Sequence, residues 1–186
     1  MSLTRYKMYK RISECLKEPI RGKILGISSI TNFYPLIDKE RSEIIETEYP
    51  EIDMQNLPFA ENSFNYVISD QVIEHLENPQ KAIDESYRVL KEDGMVIHTT
   101  CFMNYIHVAP KDFYRFSPDA LKYLCRNFSE VMQCEGWGNR VAILICFMGE
   151  RFRSINIPAS RFSIKNIIAN YNEKHYPIVT WIVAKK

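Results

Sequence analysis

Apolar and polar positions recur along this chain with two periods, near 3.6 and near 2 residues, and the switches between them outline a fold. Residues 5–18 set Tyr6, Met8, Tyr9, Ile12 and Leu16 among basic residues at helical spacing. This predicts an amphipathic leading helix ended near Pro19. Lys23-Ile24-Leu25-Gly26-Ile27-Ser28 is a short apolar run and predicts a first buried strand. A polar loop and a weak helical stretch follow. Residues 42–46, with Ile44 and Ile45, predict a second short strand, and residues 48–53 a brief extended segment. Glu61-Asn62-Ser63 signals a turn before Phe64-Asn65-Tyr66-Val67-Ile68-Ser69, the clearest strand, rich in aromatic and β-branched residues.

Val72, Ile73 and Leu76 fall on one face of a short helix. Asn78-Pro79 caps and starts the next, because proline there lacks only an amide that would be unpaired anyway. That helix buries Ala82, Ile83, Ser86 and Leu90 and is expected to stop at Gly94. Residues 95–100 predict another strand, and Ser117-Pro118 starts a helix carrying Leu121 and Leu124. Residues 130–134 and 178–183 predict the final two strands; residues 139–170 between them read as helical at first and irregular later. Strands alternating with helices imply an α/β fold, a mainly parallel central sheet with helices on both faces. The closing strand has no compact crossover helix before it, so it is expected to run antiparallel. One domain, 1–186, is expected, with residues 1–20 as an N-terminal helix and 139–175 as a divergent insertion before the last strand.

Composition narrows the function classes. The chain has 186 residues, 46% apolar and 25% charged, enough to bury a core without staples. The formal net charge of +1 indicates no bulk attraction to nucleic acid, so no nucleic-acid partner is expected. Five scattered cysteines without Cys-x-x-Cys spacing predict reduced thiols and no metal site. With no secretory leader, they point to the cytoplasm. The longest wholly apolar run, residues 141–148, is far too short to cross a bilayer, so no membrane partner is expected. The sequence is silent on oligomeric state.

Three segments then stand out: Asn56-Leu57-Pro58-Phe59-Ala60-Glu61-Asn62-Ser63-Phe64-Asn65-Tyr66-Val67-Ile68-Ser69, Val72-Ile73-Glu74-His75-Leu76-Glu77-Asn78-Pro79, and Tyr87-Arg88-Val89-Leu90-Lys91-Glu92-Asp93-Gly94. In this order they resemble the type 11 group of class I S-adenosylmethionine-dependent methyltransferases. Residues 110–118, reading Pro-Lys-Asp-Phe-Tyr-Arg-Phe-Ser-Pro, look like a subgroup signature found near surface-polysaccharide genes. The likeness covers roughly residues 20–135. It implies a Rossmann-like sheet with S-adenosylmethionine across the carboxyl ends of the first strands.

What the resemblance implies for single residues follows its motifs. Gly26 to Asn32 align with a loop that reads acid-x-Gly-x-Gly-x-Gly in the family. Here the acid is gone and the glycines are replaced, so Gly26 and the hydroxyls of Ser28, Ser29 and Thr31 are the candidate cofactor contacts. Glu46, or Glu48 after a small shift, is the candidate ribose acid. Asp53 is the candidate on the adenine side, with Met54 as the apolar contact beside it. Ser69, Asp70 and Gln71 end a strand where cofactor and acceptor should meet. His107 is the candidate general base, with Asp112 orienting it or the acceptor, and Tyr114 and Arg115 are the candidate acceptor contacts. His75 and His98 read as structural. The implied activity is methyl transfer to a small-molecule or saccharide acceptor. The degenerate loop keeps an alternative open: a non-catalytic binding or scaffold protein on the same fold.

Overall fold

A computed structural model describes residues 3–107, 111–149, 157–158, 160 and 162–186. Strands β1 (Ile20–Ile27), β2 (Ile37–Thr47), β3 (Phe64–Asp70), β4 (Leu90–Cys101), β5 (Glu130–Trp137) and β6 (Val179–Lys185) form a single sheet in the order β2-β1-β3-β4-β6-β5. The pairs β1–β2, β1–β3 and β3–β4 are parallel, whereas β6 runs antiparallel to both β4 and β5, the direction expected for the closing strand, although two helices, not none, precede it. Helices α1 (Leu3–Leu16), α2 (Pro79–Val89), α3 (Pro118–Leu124), α4 (Arg140–Phe147) and α5 (Ile164–Asn170) cover the two faces.

Each strand splits its side chains between two cores, the consequence of a two-residue period. On one face Ile24, Ile68, Ile97 and Val183 meet Met8 and Ile12 of α1 and Phe33 of a 3-10 turn at Thr31–Leu36. On the other, Leu25, Val67, Val96 and Ile182 meet Ile83 of α2 and Leu121 of α3. The start of α2 is as its sequence dictates: Asn78 Oδ1 accepts from the Lys81 amide at 3.1 Å, with Pro79 in the first turn. Ser117 caps α3 in the same way, accepting from the Ala120 amide at 3.2 Å.

Several elements depart from the reading above. The second strand spans eleven residues because its polar first half lies along the sheet edge, where exposed side chains cost nothing. Residues 48–53 form turns, with the Ile52 amide donating to the Glu48 carbonyl at 2.9 Å. The helix expected at 72–76 is a single 3-10 turn, Ile73–His75. Helix α2 stops at Val89 instead of Gly94, since Leu90 already has extended backbone and begins β4. Gly94 sits within that strand, after Asp93 at φ 62° and beside a register shift. There an added Cβ would lie 2.8 Å from the Lys91 carbonyl oxygen. Residues 139–175 supply α4 and α5; within them 150–156, 159 and 161 lie outside the described residues, as do Met1, Ser2 and 108–110, Pro110 of the subgroup signature among them. Among the described residues, no helix is long and apolar enough to cross a membrane.

Candidate functional site

The carboxyl ends of β1, β2 and β3 open on a cavity of about 280 Å³. Sheets of this kind bind ligands there, because the connections diverge and leave a crevice. Ile27 and Ser28 line it after β1, Thr47 and Tyr49 after β2, and Gln71 and Val72 after β3. Asp53 and Met54 close one side. Ser28 and Gln71 both adopt left-handed backbone, at φ 62° and 60°, so the chain turns sharply away from each strand and exposes the cavity.

The wall bearing Asp53 is rigidly held. Asp53 Oδ1 accepts from the Gln55 amide at 2.8 Å, closing a turn. Just beyond, Glu85 and Arg88 of α2 grip the chain. Glu85 Oε2 accepts from the Leu57 amide at 2.8 Å, and the Arg88 guanidinium donates to the Phe59 and Leu57 carbonyls at 2.7 and 3.0 Å. Arg88's hydrogen bonds hold the Glu85 carboxyl below the usual carboxylate range, and the Leu57 amide adds to this.

Ser28, Asp53, Met54 and Gln71 therefore meet in the cavity, but other expected contacts do not reach it. Glu46 follows Ile44 onto the opposite face of the sheet. Its carboxylate accepts from the Ile30 amide at 2.9 Å and also holds the Tyr34 hydroxyl. Glu48 does not line the cavity either. Thr47 takes the cavity side of β2, and its hydroxyl donates to the Gly26 carbonyl at 3.4 Å. Gly26 faces Ile30 and Glu46, so close that an added Cβ would lie 2.9 Å from the Ile30 side chain. Ile30 is fully buried in the α1-side core and leaves the cavity open. Ser29 and Thr31 bond each other at 3.3 Å outside the cavity. Ser69 is buried and shares a 2.8 Å hydrogen bond with His98 Nδ1. Asp70 is occupied by Tyr9, Asn32 and Thr99, which donate to it at 2.5, 3.0 and 2.7 Å. Burial pushes His98 down to about 3, so it stays neutral and is no base near neutral pH.

The far side of the cavity is made by the segment after β4. His75, Lys111 and Phe113 line it, with Glu77 beside them. The Glu74 carbonyl anchors this segment by accepting from the Phe113 and Tyr114 amides at 2.9 and 3.2 Å. His75 Nδ1 hydrogen-bonds the Lys111 carbonyl, so that nitrogen carries the proton and Nε2 is the basic one. His107 stands behind His75, the two rings edge to face with centroids 4.9 Å apart, and does not line the cavity. The Asp112 side chain is 2% exposed, lies 3.4 Å from His107 Nδ1, and is held bidentately by Arg115. That guanidinium keeps the carboxyl far below its ordinary range. Arg115 is spent on Asp112 and the Tyr105 and Tyr114 carbonyls, and the Tyr114 hydroxyl donates to the Glu77 carbonyl at 3.1 Å. The expected base pair and acceptor contacts thus brace the loop, while His75, read as structural, faces the cavity.

Sequence reasoning also missed Glu74 and Cys101. Both are buried, and both lie close to His107. Nothing local in the sequence marks them, since Glu74 lies on the Ile73–His75 turn and meets the other two only in the folded chain. Burial pushes the Cys101 thiol up to about 12, so it is no free nucleophile.

With this geometry in hand, the likenesses to other proteins fall into place. The methyltransferase domain family matches residues 11–98. An uncharacterized protein of Methanocaldococcus jannaschii is 28% identical over 149 residues, 71% of this chain and 73% of that one. The demethylmenaquinone methyltransferase of Staphylococcus epidermidis is 29% identical over 77 residues, 41% of this chain and 32% of the enzyme, so the shared stretch spans about a third of it. Among solved structures, Haemonchus contortus phosphoethanolamine N-methyltransferase 2, in complex with phosphomonomethylethanolamine and S-adenosylhomocysteine, has a TM-score of 0.62 at 14% identity, covering 96% of this chain and 52% of that one.

Proposed function

We propose, from the premise that this chain is a class I S-adenosylmethionine-dependent methyltransferase of the type 11 group, that it methylates a small molecule seated between His75, Lys111 and Phe113. The observation that carries this reading is the open cavity at the strand ends, in which Ser28, Asp53, Met54 and Gln71 converge. Its shape suits the adenine end of the cofactor: an acid and an apolar side chain stand adjacent on a braced wall. Its fit differs at the ribose, where no carboxylate from β2 reaches and Asp53 is the acid left to accept from the cofactor. Ser28 and Gln71, on their tight turns, would hold the methionine end. The cofactor supplies an electrophilic methyl group on a sulfonium, a good leaving group.

The protein then has two tasks. It must align donor and acceptor, which can supply much of the rate. It must also take the acceptor's proton as the new bond to carbon forms and the bond to sulfur breaks. His75, which lines the cavity, is the proposed acceptor of that proton through Nε2, because the Lys111 carbonyl holds the proton on the other nitrogen. Lys111 brings a cation to the same side, suited to an acceptor with anionic or hydroxyl groups, a saccharide among them. The relative named for demethylmenaquinone supports a small-molecule acceptor, as its name describes one.

Calorimetric titration with S-adenosylmethionine and S-adenosylhomocysteine tests the proposal, with micromolar binding of both as the expected result. His75→Asn should then lower turnover about 10²- to 10⁴-fold while cofactor affinity holds. A second reading, a binding module without catalysis, is favoured by one observation, the diversion of Glu46 to the Ile30 amide. A folded sample giving no heat with either ligand selects that reading and removes the first.

A further inference from the structure

Glu74, Cys101 and His107 come from the 3-10 turn after β3, the end of β4 and the loop beyond it, yet each offers a donor atom within 4.8 Å of the other two. Glu74 is fully buried. Its Oε2 accepts from the Thr100 hydroxyl at 2.7 Å, whereas its buried Oε1 has no hydrogen-bond partner. An orphaned carboxylate oxygen in a core is costly and calls for a cation or a proton. We propose that these three side chains bind one divalent transition-metal ion of the zinc type. A thiolate, an imidazole and a carboxylate are the mixed borderline donors that zinc accepts, whereas magnesium and calcium require oxygen throughout. Metal binding would displace the Cys101 thiol's proton to solvent, after which the thiolate and carboxylate together balance the ion's charge, and Arg115 is already neutralised by Asp112.

The surroundings fit a ligand site. The Asp112 carboxylate, its side chain nearly fully buried and 3.4 Å from His107 Nδ1, is the kind that orients a ligating imidazole. Donor atoms around tetrahedral zinc stand roughly 3.3–3.8 Å apart for bonds of about 2.0–2.3 Å, so closing from 4.8 Å needs a shift of about an ångström. The half-buried His107, on its loop, can supply that shift. Three protein donors leave one coordination position open. The site lies behind His75, outside the cofactor cavity, and holds whether or not methyl transfer occurs.

The test uses the full chain, stripped with a chelator and titrated with cobalt(II), followed by visible and near-ultraviolet absorption. The expected result is one equivalent bound, with tetrahedral cobalt bands and a sulfur-to-metal charge-transfer band, all abolished by zinc and untouched by magnesium. Cys101→Ser should erase the sulfur band, and Asp112→Asn should weaken binding about 10- to 100-fold. Circular dichroism checks the fold of each variant. Should Cys101→Ser fail to fold, His107→Ala on the exposed loop decides the matter by losing the tetrahedral bands. Absence of the bands in the native chain, survival of the sulfur band in Cys101→Ser, or unchanged binding by His107→Ala overturns the proposal.

Discussion

Asp53 has two roles that one substitution can separate. Its carboxylate closes a turn by accepting from the Gln55 amide, and in the proposed function it is the acid that would meet the cofactor. Asparagine keeps an oxygen for the turn but loses the charge. Asp53→Asn should therefore leave thermal stability nearly unchanged and weaken S-adenosylmethionine binding about tenfold, the value of one charge-assisted bond. An equal loss of stability and affinity would reduce Asp53 to a turn residue. Ser28 is tested in the opposite direction. At φ 62° a side chain is strained and glycine is not, so Ser28→Gly should stabilise the chain by up to about 1 kcal/mol in denaturant unfolding. Ser28→Val, branched at Cβ, should destabilise it.

Helix α2 matters less for its own stability than for what its polar face holds. Glu85 and Arg88 clamp residues 57–59 and through them the wall that carries Asp53 and Met54. Because the folded-state pKa of Glu85 is depressed, its contribution is fully present above the unfolded value near 4.3 and is lost as pH falls through the lower folded value. Glu85→Gln should flatten the acid limb of a stability-against-pH profile below about pH 4 while leaving the neutral region's slope unchanged. A superimposable acid limb in the variant would remove this pair as the cause. The sequence displayed the helix and its cap, since Asn78 and Pro79 act within one turn of each other. It also displayed β3, whose short run of aromatic and β-branched residues after a turn signal favours a strand over a helix. It hid the face of Glu46, because Ile44 and Ile45 are both apolar and either could have pointed to the cavity. It also hid the start of β4, where Leu90 continues the helical pattern but the chain has already become extended. The cluster of Glu74, Cys101 and His107 depends on Glu74 meeting two residues more than twenty positions further along the sequence, which no local period records.

The molecule as a whole is unevenly built, and ligand binding should expose that unevenness. Four central strands are buried on both faces by helices, while β2 runs along the edge with much of its length in solvent. Only nine residues, 28–36, join β1 to β2, enough for a 3-10 turn and too few for the usual crossover helix. The half of the sheet that forms the cavity proposed for the cofactor is thus the half with the least covering it, and it should open first. In hydrogen exchange, amides of β2 and residues 48–56 should exchange well before those of β3, β4 and β6. A ligand that bridges β1, β2 and the Asp53 wall supplies the missing cover. At a hundred times its dissociation constant it adds about 2.7 kcal/mol, and each kcal/mol raises the melting temperature by roughly 2–4 °C in a chain of this size. S-adenosylhomocysteine should therefore raise the melting temperature by about 5–11 °C and slow exchange first in β2 and residues 48–56. A shift without that local protection would mean the ligand sits elsewhere, since a molecule in this cavity cannot bind without bridging the weaker half of the sheet to the stronger.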